Sequence, residues 1–139
     1  MSDTRVTWVE GMQFVAESAG HSVVIDGAPG FGRGTGMEPM RLLLLGAAGC
    51  SAMDVVHILK NRMHKHVSGL QVEVTSELAE EHPKVYTKIE MHYRVKGEGL
   101  KERNVRRAIE LSMEKFCGAA IMLGETAEIV TSYQIEKET

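Results

Sequence analysis

Cys50 and Cys117 are the only cysteines in a chain of 139 residues. A thiolate is both a nucleophile and a metal ligand, whereas a thiol sunk in an apolar core is neither. Two cysteines are too few for the disulfide framework of a small secreted domain. A four-ligand zinc site would need two histidine partners at suitable spacing. The histidines (His21, His57, His64, His66, His82 and His92) form neither HExxH nor a zinc-finger pairing, so no metal and no cofactor are expected. On residue types alone, two redox-active thiols and two inert buried ones both stay open. Asp54 and His57 follow Cys50 at i+4 and i+7, near one helix face. A Cys–His nucleophile is conceivable, but seven helical residues separate the pair by roughly 10 Å along the axis. Asp54 is therefore read as a polar packing or hydrogen-bonding residue, and His57 as an interface or surface residue. His64 and His66 are read as solvated in a loop.

The elements that must position these residues follow from periodicity and punctuation. Arg5 to Glu17 is rich in β-formers and reads as a strand bent near Gly11; His21 to Asp26 reads as its antiparallel partner. Gly27 to Gly36 holds Pro29 and five glycines. It has GxGxGxG spacing but neither a GxxxxGK[ST] run nor a βαβ setting, so it is read as a loop and not as a phosphate cradle. Pro39 to about Met63 is a long helix, with Pro39 at its first position and Lys60, Arg62 and Lys65 near its C-terminal end. Val67 to Leu78 and Val85 to Val95 alternate as half-buried strands around a charged tip, Glu77 to Lys84. Lys101 to Phe116 is helical, Cys117 and Gly118 mark a break, Ala119 to Leu123 add a short turn, and Ala127 to Ile135 is a last strand. The order ββ-α-ββ-α-β predicts an α+β fold with antiparallel sheets around a long central helix, in a single domain over residues 1–139.

Hydrophobic residues at 43% and charged residues at 25% are an ordinary globular balance, and the net charge of −3 comes with dispersed basic residues. Neither a nucleic-acid footprint nor a polybasic membrane patch is present. The first twenty residues lack the order of a signal peptide. The longest apolar run, Leu42 to Met53, is shorter than the roughly 20 residues of a membrane span. A soluble, cytoplasmic protein is expected. Leu42 to Leu45 are apolar on every face and must be enclosed. Gly46 and Gly49 each cost about 1 kcal/mol inside a helix, which close packing must offset. One short chain has little material for that, so a two-fold homodimer is expected. Most of the methionines are expected to fill core space, with Met40, Met53 and Met122 able to line an apolar pocket.

The segment Pro39-Met-Arg-Leu-Leu-Leu-Leu-Gly-Ala-Ala-Gly-Cys50-Ser-Ala-Met-Asp54-Val-Val resembles the central-helix motif of the OsmC/Ohr superfamily. Ile109-Glu-Leu-Ser-Met-Glu-Lys-Phe-Cys117-Gly-Ala-Ala resembles its second-cysteine motif. With Val6-Thr-Trp-Val-Glu-Gly11, the likeness is to the OsmC-like, YhfA-type branch and runs over nearly the whole chain. It implies an intertwined homodimer with central helices packed together. It also implies thiol-dependent reduction of hydroperoxides, organic ones especially, with Cys50 as peroxidatic nucleophile and Cys117 as resolving thiol. The reductant implied is a dithiol, such as a lipoylated protein.

In that family an arginine and a glutamate polarise the first thiol. Arg33, in the glycine-rich loop, is the first candidate for the arginine, followed by Arg41 and Arg5. The position of the glutamate falls on Met40 and Arg41, so Glu38, one helical turn away, is the candidate replacement. Gly-Ala-Ala follows Cys117 where typical peroxidases of the group carry a Pro-Val-Ser pattern. An apolar helix raises a thiol's pKa, so a reactive Cys50 needs a nearby cation and donors. If these departures remove that tuning, the alternative is a non-catalytic dimer that binds or senses a small ligand.

Overall fold

The computed structural model describes residues 3–138. The chain divides into two compact units, one up to Leu44 and one from Leu45. In the first, β1 (Thr4–Glu10), β2 (Gln13–Ser18) and β3 (His21–Ile25) form an antiparallel sheet in that order. The stretch expected as one bent strand is thus two. Gly11 adopts a positive φ of 55° and reverses the chain, placing Gln13 opposite Glu10, and the Trp8 indole N–H donates to the Gly11 carbonyl at 2.8 Å. The next reversal is Ala19 and Gly20, with φ of 50° and 83°. Two left-handed central residues make the mirror-image turn whose twist suits a hairpin.

The glycine-rich loop after β3 is organised around a buried carboxylate. Asp26 is 2% exposed. It accepts backbone N–H bonds from Gly27 at 2.7 Å, Thr35 at 3.1 Å and Arg33 at 3.4 Å, and a short bond from the Thr35 hydroxyl. These donors, the Thr35 hydroxyl first among them, hold the Asp26 carboxyl below its ordinary range even though burial pushes the other way. A Cβ on Gly32 would sit 2.3 Å from the Asp26 carboxylate and 2.7 Å from Gly27 backbone, and one on Gly36 would sit 2.3 Å from the Val24 carbonyl. Glycine is required there by close approach. The loop's donors bind the protein's own anion, which agrees with reading it as something other than a phosphate cradle.

α1 (Pro39–His57) runs on into a π-helical turn, Ile58–Arg62, which ends where His64 takes φ 53° and Lys65 N–H reaches back to the Leu59 carbonyl at 2.8 Å. In the second unit, β4 (Gly69–Leu78) and β5 (Tyr86–Lys96) pair antiparallel, while β6 (Glu128–Glu136) joins β5 in parallel. The parallel pair departs from the all-antiparallel expectation. A parallel neighbour needs a crossover of a dozen or more residues. Here α2 (Glu102–Leu111), its π-helical extension Ser112–Phe116 and α3 (Gly118–Gly124) supply it. The element order is therefore βββ-α-ββ-αα-β, within the α+β class expected.

The core of this unit is the inward face of β5 (Ile89, Met91, Tyr93 and Val95) against Val55, Ile58 and Leu59 of the first helix and Val105, Ala108 and Ile109 of α2, all nearly inaccessible. Lys88, Glu90, His92 and Arg94 alternate on the other face of β5. There Arg94 bridges Glu73 and Glu136, both at 3.0 Å.

Several apolar side chains of the central helix are exposed. Leu43 is 47%, Leu45 52% and Met53 76% exposed. A Cβ at Gly46 or Gly49 would meet nothing within 4 Å. The close packing expected at those glycines is absent among the described residues. The helix Pro39–Arg62 is also long and apolar enough, by length and composition alone, to cross a membrane, a test that core helices of soluble proteins pass too.

Candidate functional site

Cys50, Asp54 and Cys117 converge. Their two sulfurs and a carboxylate oxygen all lie within 4.8 Å of one another. Both thiols are free; Cys50 is partly exposed and Cys117 buried. Cys50 and Asp54 share a face because four residues is close to one helical turn. Cys117 arrives from far along the chain through the π-helical turn that follows α2. The wide turn closes with Cys117 N–H donating to the Ser112 carbonyl at 2.7 Å. Such turns concentrate at functional sites.

The Cys117 sulfur then caps α3. It accepts the Ala120 N–H at 3.3 Å, and its S–H points to the Ala47 carbonyl at 3.7 Å. Burial pushes this thiol up to about 11. The Ala120 N–H opposes that shift, and the neighbouring Cys50 and Asp54 add to it.

Behind the thiols runs a chain of buried hydroxyls. Tyr93 Oη lies 2.6 Å from Ser51 Oγ, which is 2.8 Å from Ser112 Oγ, which is 3.0 Å from Asp54 Oδ2. Ser51, Ser112 and Tyr93 are inaccessible to solvent. Each hydroxyl has one proton. The Ser112 hydroxyl faces both Ser51 Oγ and Asp54 Oδ2, so its one proton serves one of the two at a time. Burial pushes the Tyr93 hydroxyl up to about 12, so it stays a donor.

Cys50 and Cys117 were expected to meet, and Asp54 to make a hydrogen bond; both do. His57 is exposed and bonds Asn61 at 2.9 Å. His66, expected to be solvated, pairs with Glu138 at 2.9 Å on the surface. The other candidates lie in the first unit. Arg33 pairs with Glu10 at 3.3 Å, and Arg5 with Glu17 at 3.0 Å. Glu38 and Arg41 are exposed at the start of α1, where the Arg41 N–H bonds the Glu38 carbonyl at 2.9 Å. Ser51, Ser112 and Tyr93 were missed by sequence reasoning. Only the placement of Ser51 and Ser112 within apolar helical segments hinted that their hydroxyls needed internal partners.

A half-exposed thiol beside a buried one, with a carboxylate fixed by a hydroxyl chain, defines a small α+β thiol protein. The model of the family described as OsmC-like protein matches residues 32–132. The chain is 43% identical to protein YhfA of Escherichia coli K12 over 132 residues, covering 94% of this chain and 96% of that one. A crystal structure of a hypothetical protein from Aquifex aeolicus superposes with a TM-score of 0.88 at 25% identity, covering 100% of this chain and 98% of that one. An organic hydroperoxide resistance protein OsmC from Legionella pneumophila shares the fold, with a TM-score of 0.70 at 16% identity, covering 96% and 98%. The chain belongs to the OsmC-like family.

Proposed function

We propose that this protein is a thiol-dependent hydroperoxide reductase working as a cytoplasmic homodimer. The carrying observation is the pair of free sulfurs within 4.8 Å, one reachable from solvent and one not. The Cys50 thiolate attacks the terminal oxygen of an organic hydroperoxide. The O–O bond breaks, the alkoxide takes a proton and leaves as an alcohol, and Cys50 becomes a sulfenic acid. Cys117 attacks that sulfur, water departs, and a disulfide forms before further oxidation. A dithiol of the lipoyl type regenerates both thiols by exchange and is itself oxidised. The description of the Legionella relative as a hydroperoxide resistance protein agrees with this substrate class. Arg33, Glu38 and Arg41 remain the candidates for tuning Cys50, each to be sorted by alanine substitution.

A second copy covers the exposed apolar face of the central helix and closes on Gly46 and Gly49; the exposure of Leu45 and Met53 supports this reading. The test follows cumene hydroperoxide loss with a dithiol. Wild type turns over, and Cys50→Ser falls to the uncatalysed rate; no turnover in wild type, or an unchanged rate in the variant, defeats the reading. Light scattering of detergent-free protein should give twice the chain mass, with Met53→Asp shifting it towards the monomer. A wild-type monomer, or a protein soluble only with detergent or lipid, refutes the dimer.

A further inference from the structure

We infer that the reduced Cys50–Asp54–Cys117 cluster binds a thiophilic divalent cation of the zinc class, with two sulfurs and one carboxylate oxygen as ligands and water in the fourth position. The cluster is shared with the proposed peroxide chemistry, but the binding itself does not depend on turnover. No linear zinc motif announces it, because the ligands come from one helix and from the far end of another.

The geometry is close to what such an ion needs. Zinc sits about 2.3 Å from sulfur and about 2.0 Å from oxygen, so tetrahedral ligands stand roughly 3.5–3.8 Å apart. The three ligand atoms lie within 4.8 Å of one another, so closure by at most about 1.3 Å completes the site. A covalent bond between the sulfurs demands a much closer approach. Two soft thiolates select a zinc-like ion over magnesium or calcium, which prefer sites made wholly of oxygen. Two thiolates and a carboxylate gathered in one place carry negative charge that a bound cation relieves.

The carboxylate is already oriented. Ser112 holds Asp54 Oδ2 at 3.0 Å and is itself anchored through Ser51 to Tyr93 on β5. Outer partners of this kind fix ligands in metal sites and typically change affinity 10–100-fold when removed. Binding is balanced as one M²⁺ plus two thiols and one carboxylate giving the bound ion and two released protons. With both sulfurs coordinated, neither is free to attack a peroxide; this last consequence rests on the peroxidase reading.

The experiment uses full-length protein, reduced and stripped with a chelator, with Zn²⁺ titrated against a chromophoric competitor and Cd²⁺ followed by its thiolate charge-transfer absorption. Wild type should bind one ion per chain and release about two protons. Cys50→Ser and Asp54→Asn should each weaken binding at least about 100-fold, and Ser112→Ala about 10–100-fold, with the circular dichroism of all three unchanged. Failure of wild type to bind one ion per chain, or binding unchanged in both Cys50→Ser and Asp54→Asn, overturns the inference. Cys50 is partly exposed, so its variant remains informative should Asp54→Asn not fold. Peroxide turnover by the metal-free protein is measured separately. Turnover without zinc binding sinks only this inference, and zinc binding without turnover sinks only the peroxidase reading.

Discussion

Replacing Tyr93 by phenylalanine removes one oxygen from the buried hydroxyl chain and should make the stability difference from wild type reverse sign with pH. Tyr93 is fully buried, with its hydroxyl 2.6 Å from Ser51. Near neutrality the variant loses a buried hydrogen bond and should be less stable by about 1–1.5 kcal/mol. At high pH the balance changes. A tyrosine is neutral when protonated, and burial raises this hydroxyl from 10.0 to about 12 in the folded state. The folded chain therefore holds the proton more tightly than the unfolded chain. That contribution is fully present below pH 10 and is lost as pH rises through 12. Two pH units correspond to about 2.7 kcal/mol, so the two stability curves should cross near pH 11. Cys117 and Lys88 also have raised values. Both are present in each protein, so the difference between wild type and variant isolates Tyr93. The assay is urea unfolding from pH 8 to 12 at one protein concentration, because oligomer stability depends on concentration. A gap that stays constant across that range would refute the argument.

Asp26→Asn should lower the melting temperature, because a neutral amide cannot accept the converging donors of the glycine-rich loop as a carboxylate does. In the wild type the same carboxyl has a lowered folded pKa. Its contribution is present above the unfolded carboxylate pKa and disappears as pH falls through the folded value. Melts from pH 6 to 2 should show wild type converging on the variant; parallel curves would count against this role. Thiol alkylation of native protein at pH 8, read by peptide mass spectrometry, should label half-exposed Cys50 well ahead of Cys117, which is buried with its thiol held at about 11. Equal rates would mean that the second thiol is not shielded as described.

Much of the fold was legible because it is written in local pattern. The alternation from Leu70 to Val74 and from Ile89 to Val95 is the inward face of β4 and β5. Pro39 begins α1 as its fixed φ predicts. The misread places were those where backbone conformation overrode composition. The β-forming stretch on either side of Gly11 became two strands through one left-handed residue. The pairing of β5 with β6 became parallel because the helices between them form a crossover. Enclosure of the Leu42 to Leu45 segment was expected, but the described residues leave Leu43 and Leu45 half-exposed.

Residue types and their short-range periods alone determined the α+β class and the long apolar helix, since helix and strand periods act over neighbouring residues. Only the tertiary structure decided that Cys50, Cys117 and Asp54 come together, and that Ser112, Ser51 and Tyr93 form the line of hydroxyls behind Asp54. Those contacts join separate elements of the chain. Their existence depends on the phase of a π-helical turn and on which face of β5 turns inward, and neither quantity is encoded within any single window of sequence.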